Sequence, residues 1–272
     1  MNNAKTHPFH LVDPSCWPIL TSLSLIFVPI GGVMMMHEYI YGPYVCALGV
    51  SLLLFCLYSW WKDVIHEALV DKNHNYTVRR GIKIGMVLFI ASEVMFFFVF
   101  FWSFFKARLF PMGALDGLWV VSDGRWPPSG IEFVDPWHIP LFNTLVLSLS
   151  STTVNWASYA LAHNKQKQTS RALAITILLG ILFVGMQAYE YHHASFNIDD
   201  GIYAANFYLV TGFHGFHVII GVLFLSICYF RSLKGHFRNG NSYLGFELAA
   251  WYWNFVDIVW ILLFILIYIL GS

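Results

Sequence analysis

Five ionisable side chains stand in or near long apolar stretches of this chain: Glu93, Glu190, His214, His217 and Asp257. Glu93 lies at the centre of GIKIGMVLFIASEVMFFFVFFWSFF, residues 81–105, which is otherwise almost devoid of polar groups from Ile84 onward. At 1.5 Å per residue such a helix is about 30 Å long, the thickness of a bilayer's hydrocarbon core. A carboxylate at that depth costs several kcal/mol unless it is neutralised, paired or wetted. The helix must therefore turn Glu93 towards other helices, a headgroup or water. That makes it a candidate proton or lipid site, with a hydrogen-bonded packing acid as the plainer alternative. His214 and His217, in GFHGFHVIIG, are three residues apart and share one helix face. Asp257 is near the middle of the last apolar stretch. One arrangement accommodates all of them: the third, sixth and seventh helices face one another, or a shared polar seam, inside a bundle.

These residue types invite several chemistries, and their spacing argues against most. Glu190 and His193 make one Glu-x-x-His pair, but a di-iron bundle needs two such pairs plus further glutamates. His214 and His217 are on one face of one helix and cannot sandwich a haem iron between them. A retinal-type Schiff base needs a lysine amine within a span, and no lysine lies mid-span. No metal ligand set and no catalytic residue is assigned, and the histidines read best as satisfied packing groups. A proton relay through Glu93, His214 and Asp257 in a stand-alone transporter is the competing reading. The chain lacks the paired Gly/Pro-broken segments that an inverted-repeat transporter shows.

The elements that must position these groups are helices. The chain is 58% hydrophobic, 18% aromatic and 11% charged, well under the roughly 25% charge of a soluble domain. Its class is all-α and polytopic in a membrane. Seven spans are predicted at about 17–37, 42–62, 81–105, 139–162, 172–192, 203–230 and 246–270, and the first is expected to kink near Pro29. With the N-terminus inside, 12 of the 15 Lys and Arg residues fall on inside segments, which predicts N-in, C-out. Equal numbers of acidic and basic residues imply no nucleic-acid partner. Cys16, Cys46, Cys56 and Cys228 are scattered without CxxC spacing and read as small apolar residues. No basic-then-apolar leader pattern is read at the N-terminus. The long, charged stretch after the second span suggests a two-helix unit at 1–66, a linker at 67–80 and a five-helix bundle at 81–272.

Basic residues at headgroup level add a second chemistry. His74, Arg231 and Lys234 fall on the inside, where anionic lipid phosphates would lie. Arg231 and Lys234 are three apart and share a face. Ordinary topology-setting charge is the alternative for any one of them.

Long motifs then carry a resemblance. HLVDPSCWP, WWKDVIHE, GMVLFIASEVMFFFVFFW, RWPPSGIEFVDPWHIPLFNT, QAYEYHHASFNIDDGIYAANFY, VTGFHGFHVIIG and GFELAAWYWNFVDIVW occur in that order over nearly the whole chain. It resembles subunit III of the aa3-type haem–copper cytochrome c oxidases. The resemblance implies a subunit with no redox centre of its own, inside a proton-translocating oxidoreductase. Haem a, haem a3 and copper would reside in partner subunits. Subunit I would be the main contact, with subunit II in the same complex. It implies that helices 1–2 splay from the other five around bound phospholipid, and that the subunit supports stability and proton uptake. By motif match, lipid contacts fall on His74, Glu93, Arg231 and Lys234, with Trp60 and Trp61 nearby. The chain departs from the usual pattern at Asn254, where His is common, at His66, where a longer basic side chain is common, and at Cys16, which replaces a proline. The loop 106–137 resembles alphaproteobacterial forms, which tilts the expected location to a bacterial cytoplasmic membrane rather than the mitochondrial inner membrane.

Overall fold

A computed structural model describes residues 10–109, 126, 131–237 and 243–271. Among these residues there are seven long helices and no strand. They are α1 (Trp17–Met36), α2 (Gly42–Leu69), α3 (Tyr76–Leu109), α4 (Ile139–Ala162), α5 (Gln166–His193), α6 (Ile202–Leu233) and α7 (Leu244–Leu263). The last continues in π-helical turns over Phe264–Ile269. Most helices run past the apolar stretches that mark them, because polar terminal turns of Lys, Arg and Glu are themselves good helix formers. Between α2 and α3 only residues 70–75 leave the helix. The loop residues 110–125 and 127–130, and the charges Lys5, Arg125 and Arg238, lie outside the described residues.

Among the described residues, six helices are long and apolar enough to cross a membrane: α1, α2, α3, α5, α6 and α7 with its extension. The 24-residue α4 is not among them, although a seventh span was expected there. Asn143, Thr144, Ser148, Ser150, Ser151, Thr152, Thr153, Asn155 and Ser158 dilute its hydropathy. Several of these are turned inward: Asn143 and Ser150 are fully buried.

The chain divides into two compact units, Met1–Ile82 and Lys83–Ser272. In the first, α1 and α2 form a hairpin around a five-residue turn. The helix continues through Pro29, and Glu38, at φ 60°, turns the chain back. The two backbones come close enough that a Cβ on Gly31 would lie 2.3 Å from the Cys46 nitrogen. Such close approach is how small residues join helices in a bilayer, where burial of apolar surface gives no net drive.

In the second unit α4, α5, α6 and α7 each pack on two neighbours, so they close into a four-helix arrangement. Its keystone is Trp253. The indole ring lies against two glycines: a Cβ on Gly180 or on Gly221 would each fall 2.7 Å from ring carbons. Its Nε1 donates to Ser150 Oγ on α4 at 2.9 Å. One side chain from α7 thus touches α4, α5 and α6. The helix α3 is fastened to this set by long side chains. Phe96 stacks edge-on against Phe213, Phe97 contacts Phe255, and Lys83 Nζ meets Glu247 Oε1 at 2.6 Å.

Candidate functional site

The polar seam expected between α3, α6 and α7 exists between α3 and α6. Glu93 Oε2 is 2.8 Å from His217 Nε2. Both side chains are largely enclosed, at 21% and 11% exposure. His217 Nδ1 is 2.7 Å from the Phe213 carbonyl oxygen, which only accepts, so Nδ1 carries a hydrogen. The second nitrogen then shares one proton with Glu93. Either imidazolium faces carboxylate, or neutral imidazole accepts from the carboxylic acid. The pair is neutral overall in both forms, which is how an acid at this depth is made tolerable. Phe96 and Phe97 pack against the imidazole, and Tyr252 stacks on it at 6.4 Å between centroids.

The other members go elsewhere. His214 is fully buried, and its Nε2 donates to the Val256 carbonyl at 3.0 Å. That bond fixes the tautomer and pins α6 to α7. Asp257 faces α4, accepting from Ser148 Oγ at 3.5 Å. The expected seam therefore splits: His217 binds the acid of α3, His214 binds the backbone of α7, and Asp257 turns to α4. His214 and His217 share one broad face of α6, and that face lies in the groove where α3 and α7 both reach it, so each ring meets a different helix.

A second polar cluster was not foreseen at all. Glu190 Oε1 accepts from Tyr268 Oη at 2.6 Å and from Gln187 Nε2 at 3.2 Å. Gln187 Oε1 in turn accepts from Asn143 Nδ2 at 3.4 Å. Glu190 is 3% exposed. The i, i+3 spacing of Gln187 and Glu190 was the available signal; the partners on α4 and beyond α7 were not readable. His193 points away, its Nδ1 against the Tyr189 carbonyl at 2.9 Å, so the Glu-x-x-His pair is not brought together.

Of the residues expected at lipid headgroups, Lys234 caps α6 and is exposed, whereas Arg231 is tucked inward. Its guanidinium lies 5.2 Å from the Phe237 ring centroid, and a Cβ on Gly245 would come within 2.8 Å of it. Beside it, burial first and then the Arg231 and Lys234 charges hold His236 below the usual histidine range. Trp61 is exposed and Trp60 half-buried on α2. His74 belongs to a different group, with His10 and Glu67; burial, followed by the His10 ring, lowers its proton affinity, and Glu67 opposes this. His66 faces Asp71 at 3.5 Å, and Asn254 Nδ2 donates to Asn155 Oδ1 at 3.2 Å, joining α7 to α4.

Among the described residues, six helices long and apolar enough to cross a membrane, with hydrogen-bonded acids and histidines between them, define a polytopic membrane protein. Residues 7–272 match the family model described as cytochrome c oxidase subunit III. A probable cytochrome c oxidase subunit 3 of Rickettsia felis is 58% identical over 269 residues, covering 98% of this chain and 97% of that one. The cytochrome c oxidase subunit 3 of Prototheca wickerhamii is 48% identical over 98% of this chain and 99% of that one. That of Arabidopsis thaliana is 47% identical over the whole of both. The chain belongs to the cytochrome c oxidase subunit III family, and so to the respiratory oxidoreductase complex that the family helps to build. This displaces the stand-alone transporter as a reading of Glu93, His214 and Asp257.

Proposed function

We propose that the chain is a non-redox, membrane-embedded subunit that stabilises the oxygen-reducing subunit I and supports its proton uptake, with subunit II in the same assembly. One observation carries this reading: the ionisable groups inside the bundle are committed to partners within it. Glu93 meets His217, Glu190 meets Tyr268, Asp257 meets Ser148 and His214 meets the Val256 carbonyl. Groups spent in this way hold helices together and are poor candidates for haem or copper ligation, which the reading assigns to partner subunits.

The outward faces of α1 and α3 support the rest. Leu88, Val99 and Trp102 on α3 are each more than 60% exposed, a surface suited to lipid tails or to the helices of another subunit. Lys234, exposed at the end of α6 beside the inward-turned Arg231, suits an anionic or zwitterionic headgroup. Trp60 and Trp61 suit the interfacial level of α2. With α4 counted as a seventh span, shielded by its neighbours, the lysine and arginine distribution supports N-in, C-out. A bacterial cytoplasmic membrane is the proposed location, in keeping with the Rickettsia relatives.

Purification in mild detergent tests the assembly. Haem absorbance and subunit I should co-elute with this chain, and native mass measurement should show retained phospholipid. A colourless chain eluting alone would overturn the reading.

A further inference from the structure

Three side chains in the first unit converge without serving the contacts described above. His10 precedes α1, Glu67 is in the last turn of α2, and His74 ends the loop before α3. One donor atom from each lies within 4.8 Å of the other two, and all three residues are partly buried. His10 Nε2 is 3.9 Å from Glu67 Oε2, too long for a hydrogen bond. The two imidazoles meet edge to face at 6.1 Å.

The surrounding chain holds them there. Trp17 Nε1 donates to Asp63 Oδ2 at 2.6 Å, which ties the start of α1 to α2 one helical turn before Glu67. The stretch from Trp17 back to His10 thus comes to lie beside the end of α2. On the other side, the Asn73 amide donates to the Glu67 carbonyl at 3.0 Å. Lys72, at φ 52°, makes the reversal that allows it. Asn75 Oδ1 accepts from the Val78 amide at 3.0 Å and starts α3 directly after His74. Three separate stretches of chain are thereby fixed around one point.

We propose that His10, Glu67 and His74 form a binding site for a divalent cation of the zinc class. Two imidazole nitrogens and one carboxylate oxygen are a donor set that such ions favour. Ligands of a tetrahedral zinc at about 2.0–2.1 Å sit roughly 3.3 Å from one another. Closing from the present separations needs only about an ångström of side-chain movement. The fourth position stays open to water. A bound cation would latch the N-terminal segment to the α2–α3 turn. It would also take His74 out of the lipid-contact set, leaving that role to Lys234. The nearby Arg79 charge weighs against a cation; the carboxylate of Glu67 offsets it.

The test uses the assembled, chelator-treated oxidase and Zn2+ alone as the probe. Equilibrium dialysis should show one zinc equivalent that His74→Ala and Glu67→Gln each weaken by more than about tenfold. His66→Ala, an exposed neighbour outside the triad, should leave zinc binding at wild-type strength. Equal zinc binding in wild type, His74→Ala and Glu67→Gln would overturn the site. Anomalous scattering at the zinc edge on the wild-type complex needs no variant to assemble. A peak between the three side chains is expected, and zinc-saturated crystals without one would overturn the proposal.

Discussion

Glu93 on α3 and His217 on α6 are 2.8 Å apart across the middle of the bundle, joined by a single shared proton. The second imidazole nitrogen is already spent on the Phe213 carbonyl at 2.7 Å, so only Nε2 is left to meet the carboxyl. The apolar run around Glu93 forces it to find a partner, and α6 supplies the one that leaves no net charge.

Removing either half should expose this coupling. His217→Ala leaves the Glu93 carboxyl without the imidazole it meets at 2.8 Å, and its hydrogen bonding should change. Infrared difference spectra of the complex should then show a shifted carboxyl band that Glu93→Gln removes. Loss of one partner of a buried pair costs about 3–5 kcal/mol when fully enclosed. With Glu93 21% exposed the cost should be smaller, and Glu93→Gln, which keeps a hydrogen-bonding amide, smaller still.

Trp253→Ala should be among the most damaging single changes. It opens a cavity where α4, α5 and α6 meet and leaves Ser150 Oγ with only its own-helix bond to the Leu147 carbonyl. Phe/Trp to Ala changes in cores cost about 3–5 kcal/mol. A sharply lowered melting temperature, or loss of this chain from the purified complex, is the expected result. Gly221→Ala should behave similarly, because its methyl would sit 2.7 Å from the indole.

The Lys83–Glu247 bridge should contribute little by comparison. Both side chains are partly exposed, at 37% and 25%, and such pairs are worth about 0.2–1 kcal/mol. A double-mutant cycle through Lys83→Met and Glu247→Gln, read as thermal stability at low and high salt, should give a coupling in that range that shrinks with salt.

Phospholipid retention should depend on Lys234 more than on Arg231. Lys234→Ala should lower bound phospholipid per complex, measured by native mass spectrometry. Arg231→Ala should instead loosen the end of α6, because the side chain packs on Phe237. Unchanged lipid content in Lys234→Ala would remove that residue from the lipid site.

Acid should weaken the turn that follows α6 through His236. Its proton affinity is lowered in the folded chain by burial and by Arg231 and Lys234. The unfolded chain therefore takes up a proton first as pH falls below about 6.5. The stability is fully present above that value and declines as pH drops towards the folded value. His236→Gln should flatten the melting-temperature loss between pH 7.5 and 5.5, by about 2 °C or less.

The sequence alone determined the class, because an apolar run of about 20 residues has few fates other than a membrane span, and it located six such helices closely. It also marked Glu93, His214, His217 and Asp257 as expensive groups that must be answered. It did not say by whom. A helix apolar all round, like α3, has no hydrophobic stripe to give its rotation, so only packing decided that Glu93 faces His217. The polar residues of α4 are visible in the sequence, yet their partners Gln187, Trp253 and Asp257 come from other helices. Glu190 shows the same limit. Its neighbours along the chain place it near a helix end, and only the fold carries Tyr268 over it to within 2.6 Å. His10, Glu67 and His74 are separated by up to 64 positions, and no spacing rule links them. The Trp17–Asp63 bond and the reversal at Lys72 bring them together, since a contact between distant residues depends on where the chain turns.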